Sequence, residues 1–182
     1  MDSSLVSRAQ QGDEEAFALL AVAVGNGLLA VAHRILRDVD LAKDATQQAL
    51  LSIWRDLPQL RDPARFEAWS YRVLVRECYS EGKRTRAWSS TPRLVALDAP
   101  NATDALSDVH DRDQLERAFR RLSVEHRAVV VLHYYLDLSI SEIAETLGLS
   151  PGTVKSRVHH AMRGLRAAID ADARPTIREV AK

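Results

Sequence analysis

Apolar residues recur three and four apart along most of this chain, the spacing that puts them on one side of a helix. One such set is Leu50, Ile53, Trp54 and Leu57; another is Ala128, Val131, Leu132 and Tyr135. Strand-like alternation bounded by turn residues is absent. The β-branched run VVVL at 129–132 lies inside a longer helical pattern and reads as part of a buried helix. The longest mostly apolar run, Phe17 to Ala32, contains Gly25, Asn26 and Gly27. These residues are expected to break it, leaving it short of the roughly 20 residues that span a bilayer. Between Ser89 and Ser107 the pattern stops in SSTPRLVALDAPNATDALS, whose two prolines and many small polar residues suit a linker. The expectation is an all-α protein, two small helical domains joined by a flexible acidic linker. The boundaries fall at 1–88, 89–110 and 111–170, with a short tail at 171–182.

The clearest local structure is SISEIAETLGLSPGTVKSRVHHAMRGLR, Ser139 to Arg166. Ser139 followed by Glu142 forms a capping box and starts a helix. Ile140, Ile143, Ala144 and Leu147 lie on its inner side, and Gly148 ends it in the left-handed conformation that glycine tolerates. Ser150 caps the next helix, with Pro151 at its first position. Val154 and Val158 face inward, and Ala144 is small where the second helix crosses. Two short helices joined by a tight turn make a helix-turn-helix. The outward face of the second helix then holds Thr153, Lys155, Ser156, Arg157, His159, His160 and Arg163. These donors suit phosphates and guanine edges in a major groove, and the helix N-terminus at Gly152 and Thr153 suits a phosphate.

Net charge does not alter that picture, because 25 basic residues balance 25 acidic ones. Local charge does. Lys155, Arg157, Arg163 and Arg166 follow one another with no acid between them. Lys83, Arg84, Arg86 and Arg93 form a second basic stretch. Asp98, Asp104, Asp108, Asp111, Asp113 and Glu116 cluster in and beside the linker against the single base Arg112. Ordinary solvated faces are the plain alternative for each. The one cysteine, Cys78, excludes an internal disulfide and a cysteine-rich zinc site. His159 and His160 are neighbours about 100° apart on a helix and do not share one ion, so no metal, cofactor or catalytic residue is expected. The first residues lack the basic-then-apolar order of a secretory signal. A cytoplasmic protein away from the membrane is the resulting expectation.

The segment LSISEIAETLGLSPGTVKSRVHHAMRGLR resembles the region 4 helix-turn-helix of extracytoplasmic-function (ECF, group 4) sigma factors of the sigma-70 family. LERAFRRLSVEHRAVVVLHYYLDLS, Leu115 to Ser139, resembles the helices that precede it. Upstream, LVSRAQQGDEEAFALL (Leu5 to Leu20), DLAKDATQQALLSIWRDLPQL (Asp40 to Leu60) and FEAWSYRVLVRECYSEGKRTR (Phe66 to Arg86) resemble successive parts of region 2. The resemblance covers nearly all of the chain and implies a promoter-specificity subunit of bacterial RNA polymerase, with no enzymatic activity of its own. Its implied partners are core polymerase, through the coiled coil of the largest subunit and the flap, promoter DNA, and an anti-sigma factor docking on apolar helix faces between the domains.

Carried over by position, Asp44, Gln47 and Gln48 lie where region 2 packs on the polymerase coiled coil. The family usually has Gln-Glu where this chain has Gln-Gln. The loop Gln59 to Arg65 lies where relatives capture an extruded −10 base, with Arg61 and Arg65 for phosphates. Arg72, Arg76, Ser80, Lys83 and Arg84 continue the −10 side. Arg76 and Ser80 replace the family's usual residues, so the −10 preference does not transfer from relatives. Trp69, with Val73 and Trp54, reads by spacing as core rather than as a stacking platform. In the helix-turn-helix, Lys155, Ser156, Arg157 and His159 match positions that meet the −35 element, and His160 replaces the usual arginine. The acidic linker is implied to thread through polymerase as a nucleic-acid mimic; the other reading is a solubilising tether. Two rivals remain at this point: a stand-alone dimeric DNA-binding regulator, and an enzyme with a helical DNA-binding appendage.

Overall fold

A computed structural model describes residues 2–88 and 106–173. Four helices form the first half: α1 (Ser3–Gln10), α2 (Glu14–Leu36), α3 (Val39–Asp56) and α4 (Phe66–Trp88). Two 3₁₀ turns, Leu57–Gln59 and Pro63–Arg65, bridge α3 to α4. The second half holds α5 (Leu106–Arg120), α6 (Val124–Tyr134), α7 (Ile140–Leu147) and α8 (Pro151–Ala173). No strand occurs among the described residues.

Side-chain caps fix where most of these helices begin. Asp13 accepts from the Ala16 amide at 2.9 Å and Asp38 from the Leu41 amide at 2.8 Å. Ser123 starts α6 in the same way. Each cap satisfies an amide that the first helical turn leaves without an intrahelical partner.

Two expectations change. Gly25, Asn26 and Gly27 do not interrupt α2, which runs unbroken for 23 residues. By length and composition it is apolar enough to cross a membrane. Its buried row Leu20, Val24, Leu28, Val31 and Ile35 packs instead against α1, α3, α4 and α6. Tertiary packing along that row outweighs the poor helix propensity of the glycines. In addition, α5 starts at Leu106, inside the segment read as linker, so Asp108 and Asp111 lie on a helix. The remainder of the linker reading (89–105) and the tail from 174 onward lie outside the described residues.

The two halves share one apolar core. Phe66, Leu20, Leu28, Ile35, Ile53 and Leu74 are fully buried in the first half. They are continuous with Val124, Ala128, Val129, Leu132, Ile143 and Val154 of the second. Burying each large side chain contributes roughly 1.5–3 kcal/mol. A smaller cluster, Ala118, Leu122, Val130, Ala161, Leu165 and Ala168, joins α5, α6 and α8. Two stripe residues end on the surface rather than in this core. Trp54 is 37% exposed and leans on Phe17, and Tyr135 is 47% exposed beneath the Arg34 guanidinium.

Candidate nucleic-acid interface

The helix-turn-helix is built by local chemistry. The Ser139 hydroxyl accepts from the Glu142 amide at 3.2 Å, and the Ser139 amide donates to the Glu142 carboxylate at 2.8 Å. These hydrogen bonds hold the Glu142 carboxyl below its ordinary value. Gly148 closes α7 at φ 65°, and the Leu149 amide returns to the Ala144 carbonyl at 2.9 Å. Ser150 accepts from the Thr153 amide at 3.1 Å to start α8. Ile143, Ala144 and Val154 are buried in the crossing.

On α8, Thr153, Lys155, Ser156, His159, His160 and Arg163 are exposed along the outward side. Arg157 is half-buried and lies beside the Tyr79 hydroxyl of α4. Burial pushes that hydroxyl up to about 12, against the opposing charge of Arg157. His160 lies between two other rings, with centroids at 5.8 Å to His159 and 6.5 Å to His126. His126 sits below its ordinary value because of burial first and the nearby His160 second. Its approach to His160 was invisible in the sequence, where 34 residues separate them.

On α4, Arg72, Arg76, Ser80 and Lys83 fall three or four apart and are all exposed, forming one stripe. Arg84 is also exposed and pairs with the buried Glu81 at 2.9 Å. Trp69 is half-buried, 6.2 Å from the Phe66 ring. It lines a cavity of about 490 Å³ with Gln59, Arg72, Arg76 and Tyr79. Trp69 is therefore apart from Trp54, which packs on Phe17 on another side of the bundle. The residues 69, 72, 76 and 79 interleave aromatic and cationic groups at helical spacing; Trp69, read from its spacing as core, packs on the core with one side and lines this cavity with the other. The loop at Arg61 and Arg65 is held from behind by Gln10, whose amide donates to the Leu57 and Leu60 carbonyls at 3.1 and 2.6 Å. Arg65 forms an ion pair with Glu145 of α7.

A third surface lies on α3, where Asp44, Gln47 and Gln48 are exposed together. Next to them Leu51 is 56% exposed, and with Phe17, Ala21, Leu50 and Trp54 it lines a shallow apolar groove beside Gln47. The sequence pattern missed this apolar component, because it placed Trp54 in the core.

Two family profiles match the chain: sigma-70 region 2 over residues 20–88 and sigma-70 region 4 over residues 112–165. The ECF RNA polymerase sigma factor SigL of Mycobacterium tuberculosis is 36% identical over 147 residues, covering 76% of this chain and 80% of SigL. The RNA polymerase sigma-H factor of Pseudomonas aeruginosa is 28% identical across 98% of this chain and 96% of its own length. Among solved structures, CnrH in complex with the cytosolic domain of CnrY superposes with TM-score 0.66 at 25% identity, covering 94% of this chain and 99% of CnrH. The sigma factor RpoE bound to the anti-sigma factor NepR from Bartonella quintana gives TM-score 0.65 at 25% identity, covering 86% and 98%. With both halves matched in order, and SigL similar over most of its length, this chain belongs to the extracytoplasmic-function sigma factors of the sigma-70 family.

Proposed function

We propose that the chain programs core RNA polymerase for promoters through three separate surfaces, and performs no covalent chemistry of its own. Residues 1–88 act as the polymerase- and −10-binding domain and 111–170 as the −35-binding domain, joined through 89–110. Thr153, Lys155, Ser156, Arg157, His159, His160 and Arg163 meet the −35 duplex, where side chains at the start of a recognition helix reach base edges. Arg61, Arg65, Arg72, Arg76, Ser80, Lys83 and Arg84 track the opened −10 strand. A basic stripe beside aromatic rings suits single-stranded DNA, because every base has a stacking face and every phosphate a charge. Trapping unstacked bases favours duplex opening without ATP. Asp44, Gln47 and Gln48, with the apolar shelf of Leu51 and Trp54, dock on core polymerase. The work takes place where polymerase is, in the cytoplasm.

The observation that carries this reading is the pairing of an acid-free stretch of α8, residues 151–169, with a second basic stripe on α4. A stand-alone regulator has no use for the α4 stripe or for the α3 shelf. An anti-sigma factor is a further partner, since CnrH and RpoE are each seen bound to one protein partner. An apolar groove of about 520 Å³ lined by Arg34, Leu115, Phe119, Tyr134 and Met162 is open to such a partner. The polymerase contact is tested without any promoter. The variant Gln47→Ala/Gln48→Ala/Leu51→Ser should lose several-fold in retention on immobilised core polymerase while keeping its helical circular dichroism. Unchanged retention would move the contact away from α3.

A further inference from the structure

We infer that duplex binding by the recognition helix takes up a proton at His160, with His126 of the neighbouring helix as the positioning residue beside it. This rests on the role proposed above for α8. Lysine and arginine hold their charge throughout the neutral range, whereas histidine ordinarily changes charge between pH 5 and 8. Among the outward residues of α8, His159 and His160 are therefore the ones whose charge the solution can add or remove.

Geometry singles out His160. It is exposed, three residues after Arg157 and three before Arg163, so both guanidinium groups lie near its side of the helix. Its ring centroid is 5.8 Å from that of His159 and 6.5 Å from that of His126 on α6. Two charged imidazoles at such a separation repel, so a proton on one ring disfavours a proton on the other. The half-buried His126 is the ring that stays neutral. Burial first, then His160, and more weakly Arg157 disfavour its charged form, with Glu125 opposing. The exposed ring is left to take the proton, on the side where a phosphate arrives. A phosphate stabilises the imidazolium and accepts a charge-assisted hydrogen bond from it.

The other ionisable groups around the pair leave that role to DNA. Glu125 of α6 is half-buried, and its field reaches both His126 and the Tyr79 hydroxyl of α4. Tyr79 is pushed up to about 12, chiefly by burial, and stays neutral. Also on α4, Glu81 is buried and pairs with Arg84, and Lys83 is exposed. From α5, Glu116 pairs with Arg120 and with Arg37 of α2. Arg121, exposed just after α5, and Arg127, half-buried on α6, add cations. From α7, Glu142 is held in its capping box and Glu145 by Arg65. No acid occurs on α8 itself between residues 151 and 169. Among the described residues no three His, Cys, Asp or Glu side chains are arranged to hold a metal ion.

A bound state that holds the proton more tightly than the free state makes affinity greatest at low pH. The gain is lost as pH rises through the range in which the bound imidazolium gives its proton up. The test uses the full chain and a fluorescein-labelled mixed-sequence duplex at pH 6.0 and pH 7.5, with circular dichroism confirming the fold at each. Wild-type protein should bind about threefold or more tightly at pH 6.0, and its slope of log affinity against log salt should steepen there by about 1. His160→Arg should bind at both pH values as wild type does at pH 6.0, and His160→Gln as wild type does at pH 7.5. His126→Lys places a permanent charge beside His160 and should flatten the rise, whereas the neutral His126→Gln should keep it. In calorimetry, the binding heat of wild type should differ between two buffers of unlike ionisation heat, and that of His160→Arg should not. Equal wild-type affinity at the two pH values overturns the inference, as does a rise that survives in both His160 variants. If the free chain holds duplex too weakly to titrate, holoenzyme with core polymerase replaces it. The affinity ratio of His160→Arg to wild type should then fall toward one as pH drops, and a constant ratio overturns the inference. Lys155→Ala separates the two levels. Weakened binding by this variant beside a flat wild-type profile leaves duplex binding by α8 standing without the proton. Unchanged affinity in Lys155→Ala and in every His160 variant removes the role of α8 as well.

Discussion

Ser139 shows how much one side chain settles. Its hydroxyl and amide exchange hydrogen bonds with Glu142, and the helix that carries Glu145 begins there. Ser139→Ala removes one half of the box and should cost about 1 kcal/mol, read as a lowered urea midpoint with unchanged slope. A midpoint equal to wild type would mean that packing of Ile143 and Ala144 alone fixes the start of α7. Histidines set the response to acid. His33 is held below its ordinary value by burial first and then by Arg37, Arg34 and Arg120, with Asp38 opposing. His126 is held down by burial, then by His160 and Arg157, with Glu125 opposing. The unfolded chain therefore takes up these protons before the folded one does. Stability is full above the ordinary value of 6.5 and falls as pH drops through the window below it. Thermal melts should show Tm declining from pH 7 to pH 5.5, with a shallower decline in His126→Gln; a flat profile in both proteins would contradict this. The Ser139 box was legible in the sequence because its partners are three residues apart. The crowding of His126 against His160 was not, because it exists only once α6 crosses α8.

Three helical faces, on α3, α4 and α8, carry the proposed contacts. The basic side of α8 and the stripe on α4 are both periodic; spacing put each on one face, and the −10 side of α4 came from the family resemblance. Charge on α8 should act on duplex of any sequence, since each phosphate contact releases counterions. Lys155→Ala and Arg163→Ala should each reduce the slope of log affinity against log salt by about 1. A weaker affinity with an unchanged slope would indicate loss of packing instead. What periodicity could not decide was which side of an amphipathic helix a large apolar residue joins. Trp54 and Tyr135 both extend core stripes, yet each lies at the rim of its helix, against Phe17 and under Arg34 respectively. The same limit applies to α2. Gly25 and Gly27 read as a break, whereas the helix continues because its buried row on either side is uninterrupted. Local propensity is a weak guide where tertiary packing is extensive.

Seen as one body, the chain departs most from its linear pattern. Composition separates two helical blocks with a polar stretch between them, and the helices occur in the expected order. The packing of one block on the other has no local signature. It joins Arg65 to Glu145 and Gly82 to Val124 across 80 and 42 positions, and neither half announces the other. One of these contacts, the ion pair of Arg65 with Glu145, joins a basic side chain of the first half to an acidic one of the second. The central claim, however, is promoter-specific initiation. Its direct test is run-off transcription by bacterial core polymerase on a pool of promoter fragments, with and without this chain. New transcripts that appear only with the chain, and start downstream of paired −35 and −10 elements, are the predicted result. Absence of such transcripts, from a protein that binds duplex DNA unaided, would contradict the account and leave a stand-alone regulator in its place.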